Sequence, residues 1–256
     1  SVNRGSAKLI SKEFSNFKIS SSIKVVCSEV DLLLTCVDTA DNLKNLFFSD
    51  DGVLASDKIP TTVIDFTTGK PSTCEEIALA LKNHGSKYID APIGRTPAHA
   101  LSGSLNLFLG CKKTEIMEVM DVLDDLAENL IFLDKLGSGT KIKLLNNYYG
   151  QLTTLVFGLI LKSCDNAGVA KRDLVDVMSL GPLGSPMLEA IATHFKDNQV
   201  GDIEFSIKNA LKDLQYYQDE ISPNDEFCDL LVRNFLKVVD NGKGSESVGE
   251  IAKYVE

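Results

Sequence analysis

Between Gly137 and Gly150 the sequence reads GSGTKIKLLNNYYG, an apolar and aromatic run that carries Lys143 and the adjacent amides Asn146 and Asn147. On a helix, positions i, i+3 and i+4 fall on one face, so the amine and the two carboxamides point the same way. An amine can give or take a proton, and two amides can hold an oxygen on which charge is building. The set suits acid–base chemistry at a carbonyl. The same residues also fit a lysine that snorkels from an apolar helix beside surface amides, and spacing alone leaves both readings open.

A second set follows the run YIDAPI: Gly94, Arg95 and Thr96. A planar guanidinium in a loop can grip a carboxylate or sulfonate through two parallel hydrogen bonds, with Thr96 and backbone N–H groups meeting the remaining acceptors. The competing reading is a solvent-facing arginine after a strand. Other reactive types are less organised. His84, His99 and His194 lie far apart without ligand spacing, read as surface or core-edge residues, and no metal site is expected. The carboxylates of LDDLAE, Asp124 to Glu128, read as a solvated helix end. The six cysteines are scattered singly, without CxxC spacing or a signal peptide, as expected of reduced thiols in a cytoplasmic protein.

Two regimes of sequence must position these groups. As far as Leu136, short apolar runs bounded by turn residues (DLLLTCV, TTVIDFT, SKYIDAPI, SLNLFLG, NLIFLD) alternate with helical patterns, which predicts parallel βα units. From Gly137 onward apolar residues recur at three and four spacing and the strand-like runs stop. The expected fold is a Rossmann-like α/β domain over 1–136 and an all-helical domain over 137–256, joined at the helix that begins GSGT. Open parallel sheets take ligands outside the carboxyl ends of their strands, so the loops at Asp38, at Thr67 and Thr68, and at Gly94 to Thr96 should open on one edge.

Composition narrows the partners. The chain has 256 residues, 44% hydrophobic and 24% charged, enough for a substantial core. A formal net charge of -10 argues against nucleic acid or an anionic membrane surface, both of which need clustered Lys and Arg. The run Leu152 to Leu161 is too short to span a bilayer and reads as a buried helix. Helices this apolar point to a C-terminal half shared between subunits, as a homodimer or homotetramer. The segment GPLGSP, Gly181 to Pro186, reads as a break between two helices.

The chain holds no GxGxxG fingerprint, and its opening SVNRGSAK resembles the end of a second nucleotide-binding strand. The expectation is a dinucleotide-binding domain lacking its first βα unit. Asn3 and Arg4 stand where an acidic residue would receive a ribose diol, and the pair leaves room for, and a charge opposite, a 2′-phosphate.

Three motifs in order carry a resemblance: YIDAPI followed by GSLNLFLG, then GSGTKIKLLNN, then ALKDL. Over nearly all its length the chain resembles the β-hydroxyacid dehydrogenase family, which includes 3-hydroxyisobutyrate dehydrogenase and tartronate semialdehyde reductase. The resemblance implies an NAD(P)-dependent oxidoreductase in which Lys143 is general acid in reduction and base in oxidation, while Asn147 and Asn146 orient the substrate. It implies that Gly94, Arg95 and Thr96 grip the substrate's anionic end, and that Val37, Thr68 and Lys212 touch the dinucleotide together with Asn3 and Arg4. An exposed lysine paired with Asp213 is the competing reading of Lys212. Within the family the GRT triplet and the continuation KLLNNY are most similar to members that reduce 3-sulfolactaldehyde. Substrates of its other members, 3-hydroxyisobutyrate, tartronate semialdehyde and succinic semialdehyde, are the alternatives. This chain departs from the sulfolactaldehyde pattern at Gly150, where a serine is expected, and at Asn3-Arg4, which points to NADP with NAD as the alternative. A chain of this outline without a phosphate loop would instead be an inactive binding or scaffold protein. Lys143 argues against that, since a scaffold needs no amine in its cleft.

Overall fold

The computed structural model describes residues 18–195, 201 and 203–255, so Asn3 and Arg4 lie outside the described residues. Three parallel strands, β1 (Leu32–Thr35), β2 (Thr62–Asp65) and β3 (Lys87–Asp90), pair in that order. Every residue of β2 is buried, as a strand covered on both faces requires. Its alternation sends Val63 into a cluster with Leu43, Phe47, Ile77 and Leu81, and Ile64 into one with Ile89, Leu107, Leu109 and Leu123.

The helices on this sheet start where the sequence signals them. After the short α1 (Ile23–Glu29), α2 (Ala40–Phe48) is capped by Thr39, whose hydroxyl accepts from Asn42 N, and α3 (Pro71–Lys82) begins with proline at its first turn.

A second sheet departs from the all-parallel expectation. Strand β4 (Ile93–Gly94) runs antiparallel to β5 (Leu105–Leu109), whereas β5 and β6 (Ala127–Phe132) are parallel. The cause is chain length. Only the short α4 (Pro97–Leu101) fits between β4 and β5, too little for a crossover, while α5 (Met120–Leu126) and its flanking turns carry the chain from β5 to β6. Backbone bonds from Gly110 N to Asp90 O (2.8 Å) and Phe108 N to Pro92 O (3.2 Å) tie the two sheets together.

The helical region is built on α6 (Ser138–Ala167), a 30-residue helix about 45 Å long at 1.5 Å per residue. Gly168, at φ 65°, ends it in the left-handed conformation. Against it pack α7 (Lys171–Ser179), α8 (Pro186–Thr193) and α9 (Ile207–Glu220); α10 (Glu226–Val238) packs on α9, and α11 (Ile251–Tyr254) returns to α6. The break at GPLGSP falls between α7 and α8. Leu144 and Leu155 of α6 join Leu211, Leu214 and Phe235 in one core; Phe157 and Leu161 join Val175, Leu188 and Ile191 in another. The run Leu152 to Leu161 is buried on one side only, for Val156 and Ile160 are exposed. Among the described residues no helix is long and apolar enough to cross a membrane.

Candidate active site

The start of α6 is fixed by a buried carboxylate at the end of β3. Asp90 Oδ1 accepts from Gly137 N (2.7 Å), and Oδ2 accepts from Thr140 N (2.8 Å) and Thr140 Oγ1 (3.1 Å). Burial pushes the Asp90 pKa up, and these hydrogen bonds oppose the shift. The glycines of GSGT have separate tasks. Gly137 takes φ 78°, and Gly139 lies so close to β5 that a Cβ there would come within 1.9 Å of Phe108 O. The helix therefore starts at a fixed place and rotation, with Lys143 one turn beyond Thr140.

Lys143 is half-buried, and desolvation depresses its pKa; Lys212 adds to the depression while Asp213 opposes it. Beside it Asn147 Nδ2 donates to Asp213 Oδ2 (2.7 Å), and Asn146 Nδ2 donates to Asn147 Oδ1 (3.3 Å). Asn146 is itself exposed. Asp213 pairs through Oδ1 with Lys212 Nζ (3.0 Å), which also donates to Thr68 O (2.9 Å). Val37 N donates to Thr67 Oγ1 (3.1 Å), joining the ends of β1 and β2, and Ala40 N donates to Tyr216 OH (3.0 Å). Helix α9 is thus docked on the carboxyl ends of β1 and β2, where a parallel sheet takes a dinucleotide. Asn147, Asp213, Lys212 and Thr68 form one bonded group there, with Lys143 in electrostatic reach of Asp213 and Lys212 and Val37 at the edge. An amine of depressed pKa beside a fixed amide can exchange a proton with an oxygen placed against both.

The Gly94 to Thr96 loop has its own hydrogen-bond partners. Its strand, β4, belongs to the second sheet, and among the described residues no hydrogen bond or ion pair joins the loop to the Lys143 group. The link between them is Asp90, which ends β3 and holds the start of α6. Gly94 is needed for contact, since a Cβ there would lie 3.1 Å from Phe108 Cζ and 3.2 Å from Asn106 Cβ. Arg95 takes φ 75° and its Nη1 donates to Ser104 O (2.6 Å) and to the carboxylate of Glu128. Its hydrogen bond to Glu128 holds that carboxyl below its ordinary pKa. Glu128 is therefore not part of a solvated helix end, because α5 stops at Leu126 and Glu128 lies in β6. Thr96 Oγ1 lies 2.8 Å from His99 Nδ1.

Asp90 and Asp213 hold this arrangement together, and spacing gave neither of them that place. Each carried a signal: Asp90 stands among apolar residues at a strand end, and Asp213 shares the buried face of α9 with Ala210, Leu214 and Tyr217. His194 is buried rather than peripheral, and its Nε2 accepts from Ile203 N (3.3 Å). All six cysteines are free thiols, with only Cys36, at the end of β1, exposed. No group of three or more His, Cys, Asp or Glu among the described residues is arranged to hold a metal. A cavity of about 590 Å³ lies beside α3, lined by Lys82, Lys87, Glu115 and Asp134 among others. None of its lining residues belongs to the Lys143 group, and its mixed charge selects no ligand, so the chemistry is assigned to the group and not to the cavity.

Comparison with known proteins agrees with this architecture. An uncharacterised oxidoreductase of Synechocystis is 25% identical over 202 residues, covering 79% of this chain and 69% of that protein. The 3-sulfolactaldehyde reductase of Escherichia coli is 28% identical over 120 residues, 47% of this chain and 40% of the relative. The crystal structure of 3-hydroxyisobutyrate dehydrogenase from Salmonella typhimurium superposes with a TM-score of 0.77 at 21% identity, covering 91% of this chain and 82% of that one. Residues 2–134, more than half of the chain, match the NAD binding domain of 6-phosphogluconate dehydrogenase, so the protein belongs to that family and is an NAD(P)-dependent oxidoreductase of the β-hydroxyacid dehydrogenase type.

Proposed function

We propose that the protein reduces a small aldehyde bearing an anionic group, with 3-sulfolactaldehyde the preferred substrate and NADPH the preferred cofactor. The observation that carries this reading is the Lys143 amine, half-buried, depressed in pKa and set beside Asn147 where α6 meets Asp213 of α9. The 28% identity to a protein named 3-sulfolactaldehyde reductase supports the substrate class.

Val37, Thr68 and Lys212 are the described residues that would hold the nicotinamide cofactor, and their placement at the strand ends fits it: an apolar side chain, a carbonyl and a cation. When bound, that cofactor supplies the hydride. As negative charge builds on the aldehyde oxygen, Lys143 Nζ delivers the proton that completes the alcohol; in oxidation it takes the proton back. Asn147 has one N–H committed to Asp213, leaving the other to donate to the same oxygen. Asn146 fixes the Asn147 amide through its carbonyl. Arg95, with Gly94 and Thr96 shaping its loop, binds the substrate's anionic end, and the preference for NADPH rests on the Asn3-Arg4 pair of the sequence. The C-terminal helices join subunits of a homo-oligomer.

One observation favours a second reading of the substrate. Arg95 already takes a carboxylate, that of Glu128, so a carboxylate substrate such as methylmalonate semialdehyde, tartronate semialdehyde or succinic semialdehyde fits the same cation. The deciding experiment compares kcat/KM for these aldehydes and sulfolactaldehyde, with NADPH and NADH, in the wild type and in Arg95→Gly. A sulfonate offers a third acceptor to Thr96 or a backbone N–H, worth about tenfold to a hundredfold over a carboxylate that leaves that donor unpaired. If a carboxylate is handled best, or Arg95→Gly loses nothing on the sulfonate, the sulfolactaldehyde assignment falls. A protein inert toward all four is the scaffold.

A further inference from the structure

Asp213 is 3% exposed, on a helix face otherwise given to Ala210, Leu214 and Tyr217. Burying a carboxylate there is costly, and an apolar side chain of similar volume would fold as well or better. Its contacts indicate why an acid stands there. Oδ2 accepts from Asn147 Nδ2 at 2.7 Å, and Oδ1 faces Lys212 Nζ at 3.0 Å. Because an ionised carboxylate only accepts, Asn147 must turn its NH2 toward Asp213 and its carbonyl away, where Asn146 Nδ2 donates to it. The adjacent amides and the acid form a chain of hydrogen bonds with one direction, Asn146 to Asn147 to Asp213.

We propose that Asp213 is the positioning residue of this active site, locking the Asn147 amide with its donor toward the substrate oxygen and serving as counter-ion to the Lys143 and Lys212 amines. The proposal rests on the reading of Lys143 as the general acid. The ionisable groups around this carboxylate are few. Lys143 faces it from α6, and Lys212 and Tyr216 from α9; Lys70 lies over the Tyr216 ring at 5.3 Å from its centroid, and Cys36, acted on by Asp65 and Asp38, stands at the end of β1. Of these acids Asp213 is the one whose charge acts on Lys143, and it opposes both desolvation and the Lys212 charge there. Without it the two amines would share a dry cleft with no counter-charge, and Lys143 would release its proton at lower pH.

The test is the pH profile of kcat/KM for aldehyde reduction in wild type, Asp213→Asn and Asp213→Glu, with NADPH binding followed by fluorescence and Tm by calorimetry. Reduction requires protonated Lys143, so the rate falls as pH rises through its pKa. Asp213→Asn should move that falling limb to lower pH by about one to three units, the range for loss of a close opposite charge. Asp213→Glu keeps the charge and should leave the limb in place while lowering kcat, because its longer arm displaces Asn147. A limb that stays put in a folded Asp213→Asn, or that moves equally in Asp213→Glu, overturns the proposal. If Asp213→Asn does not fold, Asp213→Glu decides by its limb alone. Wild-type turnover in Lys143→Ala would instead remove the general-acid reading itself.

Discussion

At the scale of the residue, the proposed chemistry turns on Lys143 as the proton carrier. Desolvation disfavours its ammonium form, so the falling limb of the reduction profile should lie below the pH at which an exposed lysine titrates. Oxidation of the alcohol needs the neutral amine and should rise through the same pH, a mirror-image profile measurable with one enzyme and two substrates. Lys143→Ala should lose roughly a hundredfold to ten-thousandfold in rate while NADPH binding stays near the wild-type value. Single-turnover kinetics beside a cofactor titration check both halves, and matching pH profiles in the two directions would remove the amine from the reaction. Arg95 is a residue whose type was legible and whose company was not: nothing in GRT announces that Glu128, 33 positions on, takes its guanidinium.

At the scale of the element, the strongest constraint is the seat of α6. Its first turn meets the sheet through Asp90, Gly137, Gly139 and Thr140, and Lys143 inherits its position from that contact. Gly139→Ala would drive a methyl group to 1.9 Å from a backbone oxygen that cannot rotate away, so the helix start must shift. We expect Tm to fall by roughly 2–10 °C, as overpacking of about 1–3 kcal/mol implies for a chain of this size, with kcat falling alongside. Gly150→Ala is the control, since a Cβ there meets nothing within 4 Å. Equal Tm and turnover in the two alanine variants would show that α6 is not seated on Phe108. The glycines of GSGT were visible in the sequence, but their reason was not, because the atom Gly139 must avoid belongs to a strand about thirty positions earlier.

At the scale of the whole molecule, α6 has a face left exposed among the described residues. Ile142, Leu145, Tyr149, Val156 and Ile160 recur at helical spacing and are 40%, 43%, 70%, 47% and 43% exposed. A continuous apolar stripe of this length fits a second copy of the chain, since a helix face can pack against itself about a two-fold axis. Sedimentation velocity should find an oligomer, and the double variant Val156→Glu and Ile160→Glu should convert it to monomer at micromolar concentration. A wild type that sediments as a monomer across that range would leave the stripe unexplained by self-association.

Local pattern settled what local physics controls. The alternation of short apolar runs with helical periods gave the Rossmann-like class; the change of period at Gly137 marked the helical region; i, i+3 and i+4 spacing put Lys143, Asn146 and Asn147 on one side of α6. Those properties depend on residues within a turn or a strand of each other. Tertiary structure decided what depends on distant partners. Only packing could bring Asp213 of α9 to Asn147 of α6, set Asp90 of β3 under the first turn of that helix, and pair β4 antiparallel with β5 because the chain between those two strands is too short to cross over. Charge state followed packing, for the burial that depresses Lys143 and raises Asp213 comes from elements docking on one another and has no counterpart in the order of residues.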